Sequence, residues 1–444
     1  MDLKSCVVLV AGLGKSGLSA IELLVEEGAS VRGTDAKPLE QVVGAGPVLD
    51  RLQVPYVPFS AESFAGVQLL VMSPGVPLDL PEVQAARQAG VRIIGEVELA
   101  AWFLKGPVIG ITASNGKTTT TALTGHILKN CGVDAQVGGN IGLPPTAMVK
   151  TSAADRVNVL ELSSFQLETV DRFQAKIAAV LNITQNHLDR HHTFENYVAA
   201  KRRLLETQPA DSVTVLNASD PVSTSLAYAA KGEIEWFSRA DWPLSRGWWF
   251  DGARVLYDGQ RVMERRQIPL RGLHNVENVM AAAACAHRAG APLDGIGPAV
   301  ETFPGVEHRI EFVRELRGVQ YYNDSKATSV DATLKAIDGF DHGLWIILGG
   351  KDKGSDYRPL IAPLQKKAAG VLLIGAASNI IAGQVGGELS TEHCGFLENA
   401  VEIAASRAKP GDTVLLAPAC ASYDQFNNFE ERGRAFKTIV GKLV

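Results

Sequence analysis

The sequence predicts an α/β protein built of three consecutive domains, and three observations carry that reading. Short apolar, β-branched runs of the buried-strand type alternate with helical stretches along the chain. Small-residue or glycine-rich loops follow many of these runs, as ligand-binding loops do in open α/β sheets. And 444 residues exceed what one core holds, whereas domains of about 100–200 residues give three. The expected boundaries are 1–98, 99–304 and 305–444.

A hydrophobic content of 46% with 20% charged residues is that of an ordinary globular chain. A net charge of −5 offers no basic excess, so nucleic acid is not expected as a partner. The longest apolar runs, such as Val279–Ala286, fall far short of the ~20 residues of a membrane span. Met1–Ser5 carries an acid and Cys6–Leu13 runs into a glycine loop, which is not a signal-peptide layout. Five scattered cysteines form neither a disulfide framework nor a CxxC knuckle. A cytoplasmic monomer is the expectation.

Residues 4–35 read as a β-α-β unit: strand Val7–Val10, amphipathic helix Ser16–Glu27, then strand Ser30–Gly33 ending at Asp35. Gly12, Gly14 and Gly17 satisfy G-x-G-x-x-G, with Asp35 18 residues beyond Gly17, so the domain is Rossmann-like. Taken alone, that fingerprint leaves open NAD with Asp35 on a ribose, another nucleotide, or no ligand. Leu69–Met72 is a further strand, followed by the turn Ser73–Asp79, then helix Pro81–Gly90 and strand Arg92–Ile94.

Val108–Thr112 is a buried parallel strand, Ala113–Gly116 a small turn, and Lys117 opens a helix closing near Gly132. Strand, small loop, Gly-Lys-Thr and helix make a phosphate cradle. Amides and the helix N-terminus face the anion, Lys117 neutralises phosphate oxygens, and a Thr hydroxyl ligates Mg²⁺. Ile111 stands where the strict motif has its first glycine. Gly138–Pro145 is a pliant loop whose one strongly polar side chain is Asn140. Val157–Leu162 is a strand presenting Glu161 near its end, suited to Mg²⁺ or simply a surface or capping glutamate. Ala178–Ile183 leads to NITQNHLDRHH, where His187 and His191, with His192 and Asp189, prompt the question of zinc. No third soft ligand follows at the usual spacing, and a polar loop at a strand end is the better reading.

Tyr197–Leu205 is helical, and Lys201 within it reads by default as a solvated lysine. Asp211–Leu216 and Ile234–Phe237 are strands, and the tryptophan-rich Trp236–Met263 reads as an antiparallel excursion. Leu273–Ala289 is an Ala-rich helix with Asn275 and Asn278 near its start, and Gly290–Pro304 is loop and helix. In the last third, Arg309–Glu315, Val319–Asn323, Leu344–Leu348, Val371–Ile374 and Thr413–Leu416 are strands. The loops Asn323–Ser329, Gly349–Asp356 and Ala417–Gly433 follow three of them and are expected along one sheet edge. Lys326, Lys351 and Lys353 would make that edge attract carboxylates and phosphates; each is equally compatible with an ordinary surface lysine.

Taken in order, GLGKSGLS, SPGVP, ITASNGKTTT, GGNIGLP, LELSSFQLE, NITQNHLDRH, YVAAKRRL and HNVENVMAA span the first two thirds of the chain. HRIE, NDSKATS, LGGKDKG and APACASYDQFNNFEERG complete the series. The whole chain resembles the Mur ligases, the ATP-dependent amide-bond formers of bacterial cell-wall synthesis. NDSKATS and ACASxDQFxxFExRG favour the branch that adds D-glutamate to UDP-N-acetylmuramoyl-L-alanine. The resemblance implies a Rossmann-like first domain, a central P-loop mononucleotide-binding α/β domain and a Rossmann-like third.

It also implies roles. Lys15, Ser16, Asp35, Ala36, Lys37 and Ser73 would line the uridine diphosphate site, replacing NAD, and Asn140 would touch the muramoyl substrate. Ala113, Ser114, Asn115, Gly116, Lys117, Thr118 and Thr119 would hold the ATP phosphates. Asn275, Asn278, Arg309 and Asp324 would also handle ATP. Thr118, Glu161, His187 and a carbamate on Lys201 would serve Mg²⁺. Lys326, Thr328, Lys353, Ser422, Tyr423 and Phe429 would form the D-glutamate pocket. Two departures from the family pattern stand out: Ala113 replaces a usual glycine, which matters if the site needs positive φ, and Asn186 replaces a common acid. The implied chemistry is phosphoryl transfer followed by acyl transfer, with hinge motion near residues 300–308.

Overall fold

The computed structural model describes residues 3–239 and 246–444. The chain forms two compact units, one of Met1–Ile268 with His274–Phe303 and the other of Pro269–Leu273 with Pro304–Val444.

The first unit holds two sheets. One is all parallel: β1 (Val7–Ala11), β2 (Ser30–Thr34), β3 (Leu69–Met72) and β4 (Arg92–Gly95), in the order β2-β1-β3-β4. Its strands are apolar on both sides because both faces are covered. Val8, Val10, Leu69 and Val71 pack with Ala20, Ile21 and Leu24 of the helix Lys15–Glu26. Leu9, Ala11, Leu70 and Met72 pack with Val83 on the opposite side. Each of the Val, Leu, Ile and Met side chains taken from water contributes about 1.5–3 kcal/mol.

The second sheet comprises β5 (Val108–Thr112), β6 (Ala135–Gly139), β7 (Val157–Glu161), β8 (Ile177–Val180), β9 (Val213–Asn217), β10 (Glu233–Ser238), β11 (Trp248–Phe250), β12 (Arg254–Tyr257) and β13 (Gln260–Glu264). Their order is β13-β12-β11-β10-β9-β8-β5-β7-β6. β5 lies between β7 and β8, so the loop after it opens between the ends of two neighbours. The expected antiparallel excursion needs correction: β11 runs parallel to β10, and only β11, β12 and β13 pair antiparallel, extending the main sheet. Residues 240–245 of that stretch, Trp242 among them, lie outside the described residues. β6 was expected only as loop from Gly138; its AQVGG sequence lacks the apolar run that marks a buried strand.

The second unit carries β14 (Glu311–Leu316), β15 (Val319–Asn323), β16 (Leu344–Gly349), β17 (Ala368–Ile374), β18 (Thr391–Gly395) and β19 (Thr413–Leu416), ordered β14-β15-β19-β16-β17-β18. All neighbours are parallel except the edge pair β14 and β15. Alternate residues again serve two cores: Leu344, Ile346 and Leu348 one, Trp345 and Ile347 the other. The register places Asn323 beside Leu416 and Leu416 beside Ile347, so the loops after β15, β19 and β16 leave the sheet side by side, as expected. Among the described residues, no helix is long and apolar enough to cross a membrane.

Candidate active site

The phosphate cradle forms as its sequence demands. β5 is buried throughout, and the helix Lys117–Asn130 starts directly after Gly116, whose φ is +88°. A Cβ at Gly116 would sit 2.1 Å from Asn278 Oδ1, so glycine is required both for the turn and for the approach of the Leu273–Arg288 helix. Ala113 is fully buried and is not among the non-glycine residues with positive φ. Its methyl group is therefore accommodated without backbone strain. Ser114 Oγ lies 2.9 Å from Tyr197 Oη and 2.9 Å from Thr184 O. Asn115 N donates to Asn182 Oδ1 at 2.9 Å, and Asn182 Nδ2 returns a bond to Asn115 O. Thr118 and Thr119 are buried at the helix start, and Asn278 Nδ2 donates to Asn275 Oδ1 at 2.9 Å.

Lys201 is not a solvated surface lysine; it is 1% exposed. Its helix, Phe194–Glu206, turns Tyr197, Lys201, Leu204 and Leu205 inward and is capped by Thr193. That i, i+4, i+7 stripe was the available signal, hidden because the flanking arginines looked like a solvated face. Lys201 Nζ donates to Ala113 O at 2.9 Å and Thr112 Oγ1 at 3.2 Å, and lies 4.7 Å from the Tyr197 ring centre. Lys117 Nζ donates to the same Ala113 O at 2.7 Å, and to Ser114 O. Two lysine nitrogens thus share one carbonyl. Burial first, then the Lys117 charge, push the Lys201 amine well below the usual lysine range, against the pull of Glu161.

Glu161 ends β7 and is 2% exposed, which rules out the surface reading. Its Oε1 accepts from Asn140 Nδ2 at 3.0 Å, and its Oε2 is buried with no hydrogen-bond partner among the described residues. A buried, unpartnered carboxylate oxygen beside a phosphate loop is a hard donor of the kind Mg²⁺ takes. His187 occupies a left-handed conformation (φ 52°) before the one-turn helix Leu188–His191. Its ring stands edge-on to Phe165 at 4.9 Å, and Asn186 Oδ1 accepts from its amide. Desolvation and the Lys117 and Lys201 charges keep its imidazole below the usual value, against Asp189. His191 has both ring nitrogens engaged, Nε2 with Ser164 Oγ at 2.9 Å and Nδ1 with Glu168 at 3.2 Å. It is a buried structural histidine, which removes the pair that prompted zinc.

The glycine turn after β1 is tied to its own neighbours. Leu13 N donates to Asp35 Oδ2 at 2.7 Å, Lys37 N to Asp35 Oδ1 at 3.0 Å, and Ser73 Oγ to Gly12 O at 2.7 Å. Asp35 uses one oxygen on this turn and the other on the Ala36-Lys37 corner. Lys15 and Ser16 open the following helix, and Lys15 Nζ donates to Gly142 O at 2.6 Å. Asn140 is exposed on the same loop as Gly142, so Lys15, Ser73 and the Asn140 loop form one connected surface.

In the second unit Asp324, Lys326 and Thr328 lie on the loop after β15. Burial raises the Asp324 carboxyl to about 6 against the opposing pull of Arg309. Lys326 Nζ lies 5.5 Å from the Phe429 ring centre, Ser422 is buried, and Tyr423 and Lys353 are exposed. Arg432, which the sequence reading did not single out, is 1% exposed. It donates to Ser325 Oγ (3.0 Å), Ser325 O (2.9 Å) and Cys420 O (3.1 Å), locking two of the loops together. The predicted ATP set is divided: Asn275 and Asn278 belong to the first unit, Arg309 and Asp324 to the second.

Residues 6–95 match the Mur ligase MurD-like N-terminal domain, 111–286 the Mur ligase middle domain, and 308–420 the Mur ligase glutamate ligase domain. The chain is 55% identical to the UDP-N-acetylmuramoylalanine–D-glutamate ligase of Solibacter usitatus, covering 100% of this chain and 99% of that one. It is 48% identical to the enzyme of the same name from Acidobacterium capsulatum, covering 99% and 97%. Among solved structures, the UDP-N-acetylmuramate-alanine ligase MurC of Thermotoga maritima superposes with TM-score 0.61 at 20% identity, over 98% of this chain and 99% of that one. MurF ligase from Thermotoga maritima, in complex with ADP, gives 0.59 at 16% identity, over 100% and 99%. With full-length identity of this order to D-glutamate ligases, and all three domain types in sequence, the chain belongs to the Mur ligase family.

Proposed function

We propose that this chain uses ATP to join D-glutamate to UDP-N-acetylmuramoyl-L-alanine, with an acyl phosphate between the two steps, as a monomer in the cytoplasm. The observation that carries the reading is the cluster behind β5. A strand–loop–helix cradle, two lysine nitrogens on one carbonyl and an unpartnered carboxylate oxygen lie within one unit. We divide the work among three domains at 1–98, 99–304 and 305–444.

The L-alanyl carboxylate attacks the γ-phosphorus, releasing ADP, while Lys117 neutralises charge on the transferred group. The amine of D-glutamate then attacks the acyl carbon, and the tetrahedral adduct expels phosphate. Lys15, Ser16, Asp35, Ala36, Lys37 and Ser73 hold the UDP part and Asn140 the muramoyl part. Asn275, Asn278, Arg309 and Asp324 orient ATP. Lys326, Thr328, Lys353, Ser422, Tyr423 and Phe429 hold D-glutamate.

The donors present fit Mg²⁺: Thr118, Glu161 and His187 would hold it, together with Lys201 once its amine has taken up CO₂. When bound, the ion supplies positive charge against the phosphate oxygens. Burial and the Lys117 charge shift the Lys201 amine toward the neutral form, which is the form that adds to CO₂, and the resulting carbamate is an anion beside Lys117. No side-chain nucleophile is required, and the protein contributes orientation and electrostatics.

The test is phosphate release by purified protein with ATP and UDP-N-acetylmuramoyl-L-alanine, offered D-glutamate, L-glutamate, L-lysine or meso-diaminopimelate in turn. Turnover is expected with D-glutamate alone. Preference for another amino acid would reassign the chain to a relative that adds that amino acid, or to a folylpolyglutamate-synthase-like enzyme. Nicotinamide binding without ATP binding would favour an oxidoreductase.

A further inference from the structure

Glu96 is the first residue of the helix Glu96–Ala101, directly after β4, and is 1% exposed. Its Oε1 lies 2.7 Å from both the amide nitrogen and the hydroxyl of Thr146, and accepts from each. Its Oε2 is buried and has no hydrogen-bond partner among the described residues. Thr146, itself 1% exposed, lies in the short helix Pro145–Met148, and its Oγ1 is 2.8 Å from Ser19 Oγ in the helix that follows the glycine turn. The Thr146 hydroxyl thus faces two acceptors, Glu96 Oε1 and Ser19 Oγ, and its one proton serves both. One carboxyl therefore ties the helix after β4 to Thr146, and Thr146 to the helix bearing Lys15 and Ser16.

Thr146 is also the far anchor of the loop 138–145. The near anchor is Asn140, whose amide donates to Glu161 O at 2.8 Å and whose side chain donates to Glu161 Oε1. Between them Gly142 O accepts from Lys15 Nζ. The loop that presents Asn140 is thus fixed at both ends by glutamates. Burial pushes the Glu96 carboxyl up to about 7, so this anchor is an ionisable group kept dry at a cost. A buried acid at this junction needs a reason beyond packing, because an apolar side chain would fill the space without the desolvation.

We propose that Glu96 is a positioning residue for the UDP-linked substrate, setting through Thr146 the loop that carries Asn140 against the Lys15-Ser16 turn. The proposal rests on reading Lys15, Ser16 and Asn140 as substrate-handling residues. Steady-state kinetics with each of the three substrates varied will test it. Glu96→Ala is expected to raise KM for UDP-N-acetylmuramoyl-L-alanine about tenfold, leaving kcat and the KM values for ATP and D-glutamate within about twofold. Glu96→Gln keeps an acceptor oxygen for Thr146 and is expected to restore KM to within about twofold of wild type. Thr146→Val, which loses only the hydroxyl, is expected to show a rise of about threefold. A folded Glu96→Ala enzyme with unchanged KM for the UDP substrate, or with all three KM values raised alike, overturns the proposal. If Glu96→Ala does not fold, unchanged KM in Thr146→Val overturns it. Absence of wild-type turnover with this substrate is a different result: it removes the functional reading, and the positioning role with it.

Discussion

The chain contains two strand–loop–helix turns that each hold a left-handed glycine, and they are wired oppositely. Gly12 and Gly116 both have φ +88°, and each turn is followed by a helix opening on lysine, Lys15 and Lys117. In the first turn a carboxylate, Asp35, takes the Leu13 amide, and Lys15 reaches outward to Gly142 O. In the second no acid occupies the loop; Lys117 folds back onto its carbonyls and a second lysine stands behind them. A glycine turn therefore specifies a backbone path, and the side chains around it decide how its amides and lysine are used. Buried ionisable groups follow the same division: a carboxyl pushed up beside the first turn, an amine pushed down behind the second.

Three measurements would break or sharpen that contrast. The largest effect is expected at the lysines that open the helices. Lys117→Ala should lower ADP release that depends on both other substrates by at least about 10³-fold. Lys15→Ala should instead raise KM for the UDP substrate by about tenfold and leave KM for ATP unchanged. Equal losses in both variants would mean that the two turns serve one ligand. Next, activity should fall in CO₂-depleted buffer and recover on adding bicarbonate. A carbamate ¹³C resonance should appear with ¹³C-bicarbonate and be absent in Lys201→Ala. Activity indifferent to CO₂, with no such resonance, would leave Lys201 a buried amine.

The last measurement concerns stability. The Glu96 carboxyl is raised from 4.5 to about 7, so the folded state binds its proton more tightly than the unfolded one. Its stabilising contribution is complete below about pH 4.5 and is lost as pH rises through about 7, a difference on the order of 3 kcal/mol. Thermal midpoints of wild type against Glu96→Gln should converge at low pH and diverge in this sense between pH 5 and 8. Parallel curves would show that the carboxyl titrates normally.

Much of the site was legible because its parts are local. Gly116-Lys117-Thr118 after a β-branched strand, or three polar loops after three strands, announce themselves by spacing alone. Lys201 was misread because its neighbours in sequence, Arg202 and Arg203, look solvated, while its neighbours in space are Thr112 and Ala113, 89 and 88 positions away. His191 drew attention as a ligand because of its spacing from His187, yet Ser164 and Glu168 consume both its nitrogens. Glu96 gave no local signal, and Arg432 stood in the ACASxDQFxxFExRG motif with no role to be read there, since the partners of both lie on other elements.

By itself the sequence determined the three α/β segments, the two glycine turns and the order of the loops, because strand and helix periods and glycine's freedom at positive φ are short-range properties. Only the tertiary structure decided which charges are buried and what they face. Desolvation and hydrogen bonding depend on residues far apart in the chain, so the neutral tendency of Lys201, the unpartnered oxygen of Glu161 and the clasp of Glu96 on Thr146 emerge only when the sheets are assembled.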